Sequence, residues 1–91
     1  MLKLRYSNKF KRDYKAVQKQ RHDITELQNV IKILCNQSPL PERMHDHALT
    51  GEWKGYRECH IRPDWLFIYK IDNENLILTA ARTGSHSELF G

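Results

Sequence analysis

The chain has 91 residues, 40% hydrophobic and 29% charged, with 15 Lys and Arg against 11 Asp and Glu and a formal charge of +4. That length implies one domain, 1–91, small enough to bury only about 60% of the surface its unfolded chain would expose. No apolar run approaches the ~20 residues that cross a bilayer, and the first residues lack the apolar stretch of a secretory signal, so a cytoplasmic protein without a membrane segment is expected.

Two cysteines, Cys35 and Cys59, make neither a disulfide framework nor a zinc spacing. They read as packing residues. The basic balance favours polyanionic partners: nucleic acid, the ribosome or an acidic protein.

Leu2 and Leu4 alternate with Lys3 and Arg5 ahead of Tyr6, the pattern of a short strand. Ser7 or Asn8 can cap the helix that follows, whose apolar positions Phe10, Tyr14 and Val17 fall at helical spacing among Lys and Arg. It should stop near Arg21 and His22, where the histidine reads as a helix-end residue. Asp23 and Glu26 have the spacing of a capping box. Ile24, Leu27, Ile31 and Leu34 then mark a second helix ending near Gln37, packed antiparallel to the first. Pro39 and Pro41 prevent its continuation, and residues 38–52 read as a long loop of the kind that carries function.

From Lys54 the period becomes two. Tyr56, Glu58 and His60 share one side of a strand; Arg57, Cys59 and Ile61 share the other. Arg62, Pro63 and Asp64 form a turn. Trp65 to Ile71 is almost wholly apolar, as a central strand covered on both faces requires. Asp72 to Asn75 is a second turn, Leu76 to Arg82 the last strand, and Thr83 to Gly91 a tail. The fold expected is α+β in the order β-α-α-β-β-β. A two-helix layer covers one face of an antiparallel sheet of about four strands and leaves the other face partly open.

The chemistry lies in the second half, with His45, His47, His60 and His86. Imidazoles titrate nearest to neutrality, so a set of them suits general acid–base work without a metal. Cleavage of RNA by its own 2′-hydroxyl needs a base, an acid and a cation beside the phosphate. Lys54, Arg57 and Arg82 are candidates for the cation. Trp53, Tyr56, Trp65 and Tyr69 are aromatic surfaces on which bases can stack, although Trp65 and Tyr69 also suit the core. His45 and His47 form H-x-H, a short and common pattern that leaves zinc open as a minor alternative.

Recognition adds to this. The run from His47 through Gly51, Trp53 and Arg57, then His60-Ile-Arg-Pro-Asp64-Trp65-Leu-Phe-Ile-Tyr-Lys, then Arg82-Thr-Gly-Ser-His86 and the closing Leu-Phe-Gly closely resembles YafQ-like toxins of the RelE/ParE superfamily. The likeness is strongest over residues 45–91. It implies the toxin of a type II toxin–antitoxin system, a ribosome-dependent endoribonuclease that cuts mRNA in the A site without a metal or other cofactor. It also implies neutralisation by a cognate antitoxin, which alone contacts operator DNA. Carried onto this sequence, the family's important positions are His47, His60, Asp64, Trp65, His86 and Phe90. His86 would be the acid. His60 assisted by Asp64, or else His47, would be the base. Phe90 would hold the substrate, Trp65 shape the site and Arg82 contact phosphate. A gyrase inhibitor on the same fold, or an inactive binding homologue, are the alternatives, and a free monomer is expected.

Overall fold

A computed structural model covers residues 1–91. The strand β1, Lys3–Tyr6, runs directly into the helix α1, Asn8–Lys19. Ser7 makes that junction. Its hydroxyl accepts from the Phe10 N–H at 2.9 Å and donates to the Ala81 carbonyl at 2.7 Å, so one side chain caps the helix and ties it to the far end of the chain. Phe10 and Val17 turn inward, while Lys9, Lys11, Arg12, Lys15 and Lys19 face out. The helix ends two residues before the expected place, because Arg21 takes a left-handed φ of 63°.

The second helix, α2, covers Ile24–Cys35. Asp23 caps it through the Thr25 N–H, but Glu26 does not complete a capping box. It reaches across to Arg62, whose Nε donates to Glu26 Oε2 at 3.0 Å. This corrects the expectation at one residue: a tertiary cation outcompetes the local cap. The two helices form a hairpin and share one apolar cluster.

The loop that follows is more ordered than its composition implies. It holds 3-10 turns at Glu42–Met44 and Gly51–Trp53 and a two-residue strand β2, His47–Ala48. Then come β3, Arg57–Arg62, β4, Trp65–Asp72, and β5, Ile77–Gly84. The sheet has five strands, not four, in the order β1-β5-β4-β3-β2. β2 and β3, β3 and β4, and β4 and β5 are antiparallel, but β1 and β5 are parallel. A hairpin imposes the antiparallel sense on its two strands; β1 and β5 are joined by nearly the whole chain, so nothing imposes it there. The two-residue β2 was too short to show a period.

The tail is not irregular either. Residues His86–Phe90 form α3, with Ser85 and Glu88 in a complete capping box. A main core of 16 buried residues lies between the helix pair and one sheet face, with Phe10, Leu27, Cys59, Phe67, Tyr69 and Leu78 at its heart. The opposite face carries a small cluster of Leu66, Ile68, Ala81 and Leu89, flanked by Leu49, Trp53 and Tyr56. α3 and the Trp53 turn therefore cover part of the face that was expected to stay open. The rest of that face holds the histidines.

Candidate active site

Strand alternation places Glu58 and His60 on the same side of β3. The β2 pairing then sets His47 opposite Glu58. One carboxylate thus stands between two imidazoles. Glu58 Oε1 lies 3.6 Å from His47 Nε2 and 3.6 Å from His60 Nε2, and the residue is only 6% exposed. These are ion-pair separations, longer than hydrogen bonds. The other nitrogen of each ring faces a backbone carbonyl. His47 Nδ1 is 2.6 Å from His45 O, and His60 Nδ1 is 3.4 Å from Pro63 O. A carbonyl only accepts, so a proton on Nδ1 satisfies each of these contacts and leaves Nε2, beside the Glu58 carboxylate, as the nitrogen able to take one.

His45 contributes through its backbone. It adopts a left-handed φ of 47° after the 3-10 turn, which aims its carbonyl at His47. Its ring stands 6.0 Å from that of His60, nearly perpendicular. No three His, Cys, Asp or Glu side chains converge at the geometry of metal ligands.

His86 reaches the same face from the other side. His60 pairs with Leu66, and Leu66 pairs with Gly84, so His60 and the root of α3 lie in one row across three strands, about 10 Å apart at ~4.8 Å per strand. His86 is exposed, makes no hydrogen bond and packs against Phe90 at 5.1 Å between ring centres. Phe90 in turn meets Trp53 edge-on at 6.5 Å, and Trp53 meets Tyr56 at 5.2 Å. A half-exposed aromatic wall therefore borders the histidine row. Lys54 is exposed beside it. Lys70, absent from the sequence expectation, stands 5.5 Å over the Tyr56 ring.

Four expected site residues are placed elsewhere. Arg57 lies on the helix side of β3, as its alternation with Glu58 requires, and its Nε donates to Asp46 at 3.3 Å. Arg82 grips Asp13 of α1 with two hydrogen bonds of 2.7 and 3.1 Å, and the Thr83 N–H joins them. Those bonds to Asp13 hold the guanidinium above its ordinary value. A bulge in the β4–β5 ladder, where Ile68 pairs with Arg82 but Tyr69 pairs with Ala80, re-aims the chain at this point. Trp65 is fully buried, donates from Nε1 to Thr83 Oγ1 at 2.9 Å and stacks on His22 at 4.3 Å; it is core, and His22 covers it. Asp64 is exposed and does not bond His60. It lines a polar cleft of about 420 Å³ with Gln20, His22, Arg62, Ser85 and Glu88. The partner of His60 is Glu58, which the sequence reading placed on the correct side without giving it a role. The usable signal was a carboxylate two residues before a histidine on one strand.

A cleft of about 500 Å³ lies between α1 and α2 and is lined by Tyr6, Phe10, Tyr14 and Ile31 with Lys11 and Lys15. It contains no histidine or carboxylate and is separate from the histidine row.

The model for the bacterial toxin of the type II toxin–antitoxin system, YafQ, matches residues 2–91. The chain belongs to the YafQ toxin family. The mRNA interferase toxin YafQ of Escherichia coli K12 is 42% identical over 89 residues, covering 97% of this chain and 95% of the relative. With that near full-length likeness, the chain is an endoribonuclease. The crystal structure of YafQ from E. coli BL21(DE3) superposes with a TM-score of 0.91 at 39% identity, covering 100% of both chains. The YafQ chain of the E. coli DinJ–YafQ complex superposes with a TM-score of 0.89 at 40% identity, covering 100% of both.

Proposed function

We propose that this toxin cuts mRNA on the ribosome by metal-independent acid–base catalysis and that a cognate antitoxin neutralises it. The observation that carries the reading is the row of imidazoles: His60 and His47 around buried Glu58 on one side, His86 on the other.

In the reaction, Nε2 of His60 takes the proton of a 2′-hydroxyl. The oxygen attacks the adjacent phosphorus, and His86 gives a proton to the departing 5′-oxygen. The products are a 2′,3′-cyclic phosphate and a 5′-hydroxyl. Glu58, with its carboxylate 3.6 Å from the same Nε2, stabilises by its charge the imidazolium that forms on His60. His47, with the same Nδ1-to-carbonyl arrangement, is the second ring able to serve as base. His86 follows two residues after Gly84, whose backbone lies about 10 Å from that of His60, a span that leaves room for a phosphodiester between base and acid. Phe90, with Trp53 and Tyr56, offers a stacking wall for a base. Lys54 and Lys70 are free of carboxylates, whereas Arg57 and Arg82 are already engaged by them. Asp64 belongs to the rim of the neighbouring cleft rather than to a pair with His60.

The ribosome suits the chain's +4 charge and the five outward cations of α1. The same charge suits an acidic antitoxin, and the relative's complex with DinJ supports one. The setting is the cytoplasm, where both partners are found.

The test is primer extension on mRNA translated by purified ribosomes at constant magnesium, with the wild-type toxin and His86→Ala, each used as purified or stripped with EDTA and desalted beforehand. Cuts at fixed codon positions are expected only with ribosomes, unchanged by stripping the toxin and lost in the variant. Cutting of free mRNA at equal rate removes the ribosome from the reading, and activity lost on stripping and regained with added zinc removes the metal-independent mechanism.

A further inference from the structure

The helix that carries His86 is five residues long, far below the length at which a helix sustains itself. Its position must come from its attachments. Leu89 anchors one side in the small apolar cluster. Gly84, entering with φ 153°, brings the chain so close that a Cβ there would stand 3.1 Å from Glu88 Oε1 and 3.4 Å from Leu89 Cδ2.

Glu88 is the third attachment, and both of its oxygens are used. Oε1 accepts from the Ser85 N–H at 2.8 Å within the capping box. Oε2 accepts from Gln20 Nε2 at 2.9 Å, a contact between residues 68 positions apart. Gln20 is itself fixed as the C-terminal cap of α1, its N–H bonded to the Ala16 carbonyl. The Ser85 N–H first, then the Gln20 amide, hold the Glu88 carboxyl below its usual range. His86 makes no polar contact of its own, so its place over the sheet depends on the α3 backbone. That backbone is tied to α1 through this single pair.

We propose that Gln20 and Glu88 form a latch that positions His86 for proton delivery. Both are positioning residues and neither touches the phosphate. The proposal rests on the reading of His86 as the acid that protonates the leaving 5′-oxygen.

Gln20→Glu sets two carboxylates face to face and opens the latch. Adding Glu88→Gln restores an amide-to-carboxylate bond with its direction reversed, and Gln still suits the third position of a capping box. Cleavage of mRNA on translating ribosomes should show kcat roughly 10- to 100-fold lower for Gln20→Glu, the scale of a small misplacement of a catalytic group. KM should be unchanged, and the double variant should recover most of the rate. A second substrate separates positioning from general damage. In mRNA with sulfur replacing the leaving 5′-oxygen at the cut, a thiolate departs without protonation. On that RNA, Gln20→Glu and His86→Ala should both approach the wild-type rate. Wild-type cleavage of ordinary mRNA by Gln20→Glu, with His86→Ala inactive, overturns the latch alone. A Gln20→Glu defect that persists on the sulfur substrate, where the His86→Ala defect disappears, does the same. Full activity of His86→Ala on ordinary mRNA overturns the acid assignment and the latch together.

Discussion

The two faces of the sheet use the same strands for opposite ends. The face toward α1 and α2 buries a continuous apolar layer, and its Arg57 is neutralised on the spot by Asp46; Arg82, paired with Ile68 of the other face, is drawn away to Asp13 of α1. The other face buries only a small cluster and leaves its titratable groups half-exposed, around a single buried carboxylate. In a domain this small, one thick core supplies most of the stability, which leaves the second face free to carry charge. The period-two alternation of β3 does the sorting, with Arg57, Cys59 and Ile61 to the helices and Glu58 and His60 to the site.

The sharpest test compares one substitution from each face. Trp65→Ala removes the largest fully buried side chain and the Nε1 bond to Thr83. It should cost about 3–5 kcal/mol of stability, enough to leave much of a small domain unfolded, as denaturant unfolding would show. His86→Ala alters an exposed ring. It should leave the unfolding midpoint in place while cleavage falls roughly 10²- to 10⁴-fold. Equal losses of stability from the two changes would break the comparison.

Glu58 sits between these extremes, because it is buried like the core but belongs to the site. Glu58→Gln keeps the shape and removes the charge. Cleavage is expected to fall, by less than for either histidine, in kcat rather than KM as the forming imidazolium loses its partner. Cleavage at the wild-type rate would remove Glu58 from the chemistry.

Much of this contrast was legible in the residues. The helices, the apolar β4 and the period-two β3 follow from spacing alone, because each runs long enough to show a period. The site was legible as a set of histidines but not as a geometry. Glu58 was placed on the correct side of β3, yet its role needed β2, whose two residues carry no pattern, to bring His47 opposite. Asp64, adjacent to the turn, looked like the partner of His60; the turn carries it to the far side instead, toward Gln20 and His22. Arg82 looked free because Asp13, its partner, is 69 positions away. Long-range pairing is what one-dimensional spacing does not contain.

Arg82 gives the next smaller effect. If Arg82 serves to hold Asp13 of α1, Arg82→Ala should act first on stability, by about 1–3 kcal/mol for the charge-assisted bonds to Asp13, and Asp13→Ala should match it. The double variant should cost little more than either single change, as expected for residues that share one interaction. A loss of cleavage by Arg82→Ala with unchanged stability, and no such loss by Asp13→Ala, would give Arg82 a role in the chemistry.

The smallest effect concerns Cys59, which lies on the helix side of β3 between Glu58 and His60. Burial first, then the nearby Asp46 and Glu58 charges, pushes its thiol up to about 12. The thiolate is the reactive form. At pH 8 the folded protein should therefore resist alkylation at Cys59, while the unfolded chain, with an ordinary thiol near 8.5, reacts readily. Because the folded value is raised, deprotonation favours the unfolded chain, and stability should begin to fall as pH rises through the ordinary thiol range. Replacing Cys59 by Ala should remove that part of the alkaline fall and leave cleavage intact. Prompt alkylation of the folded protein would mean that β3 opens readily, and that the face holding the histidines is less rigid than the one beneath it.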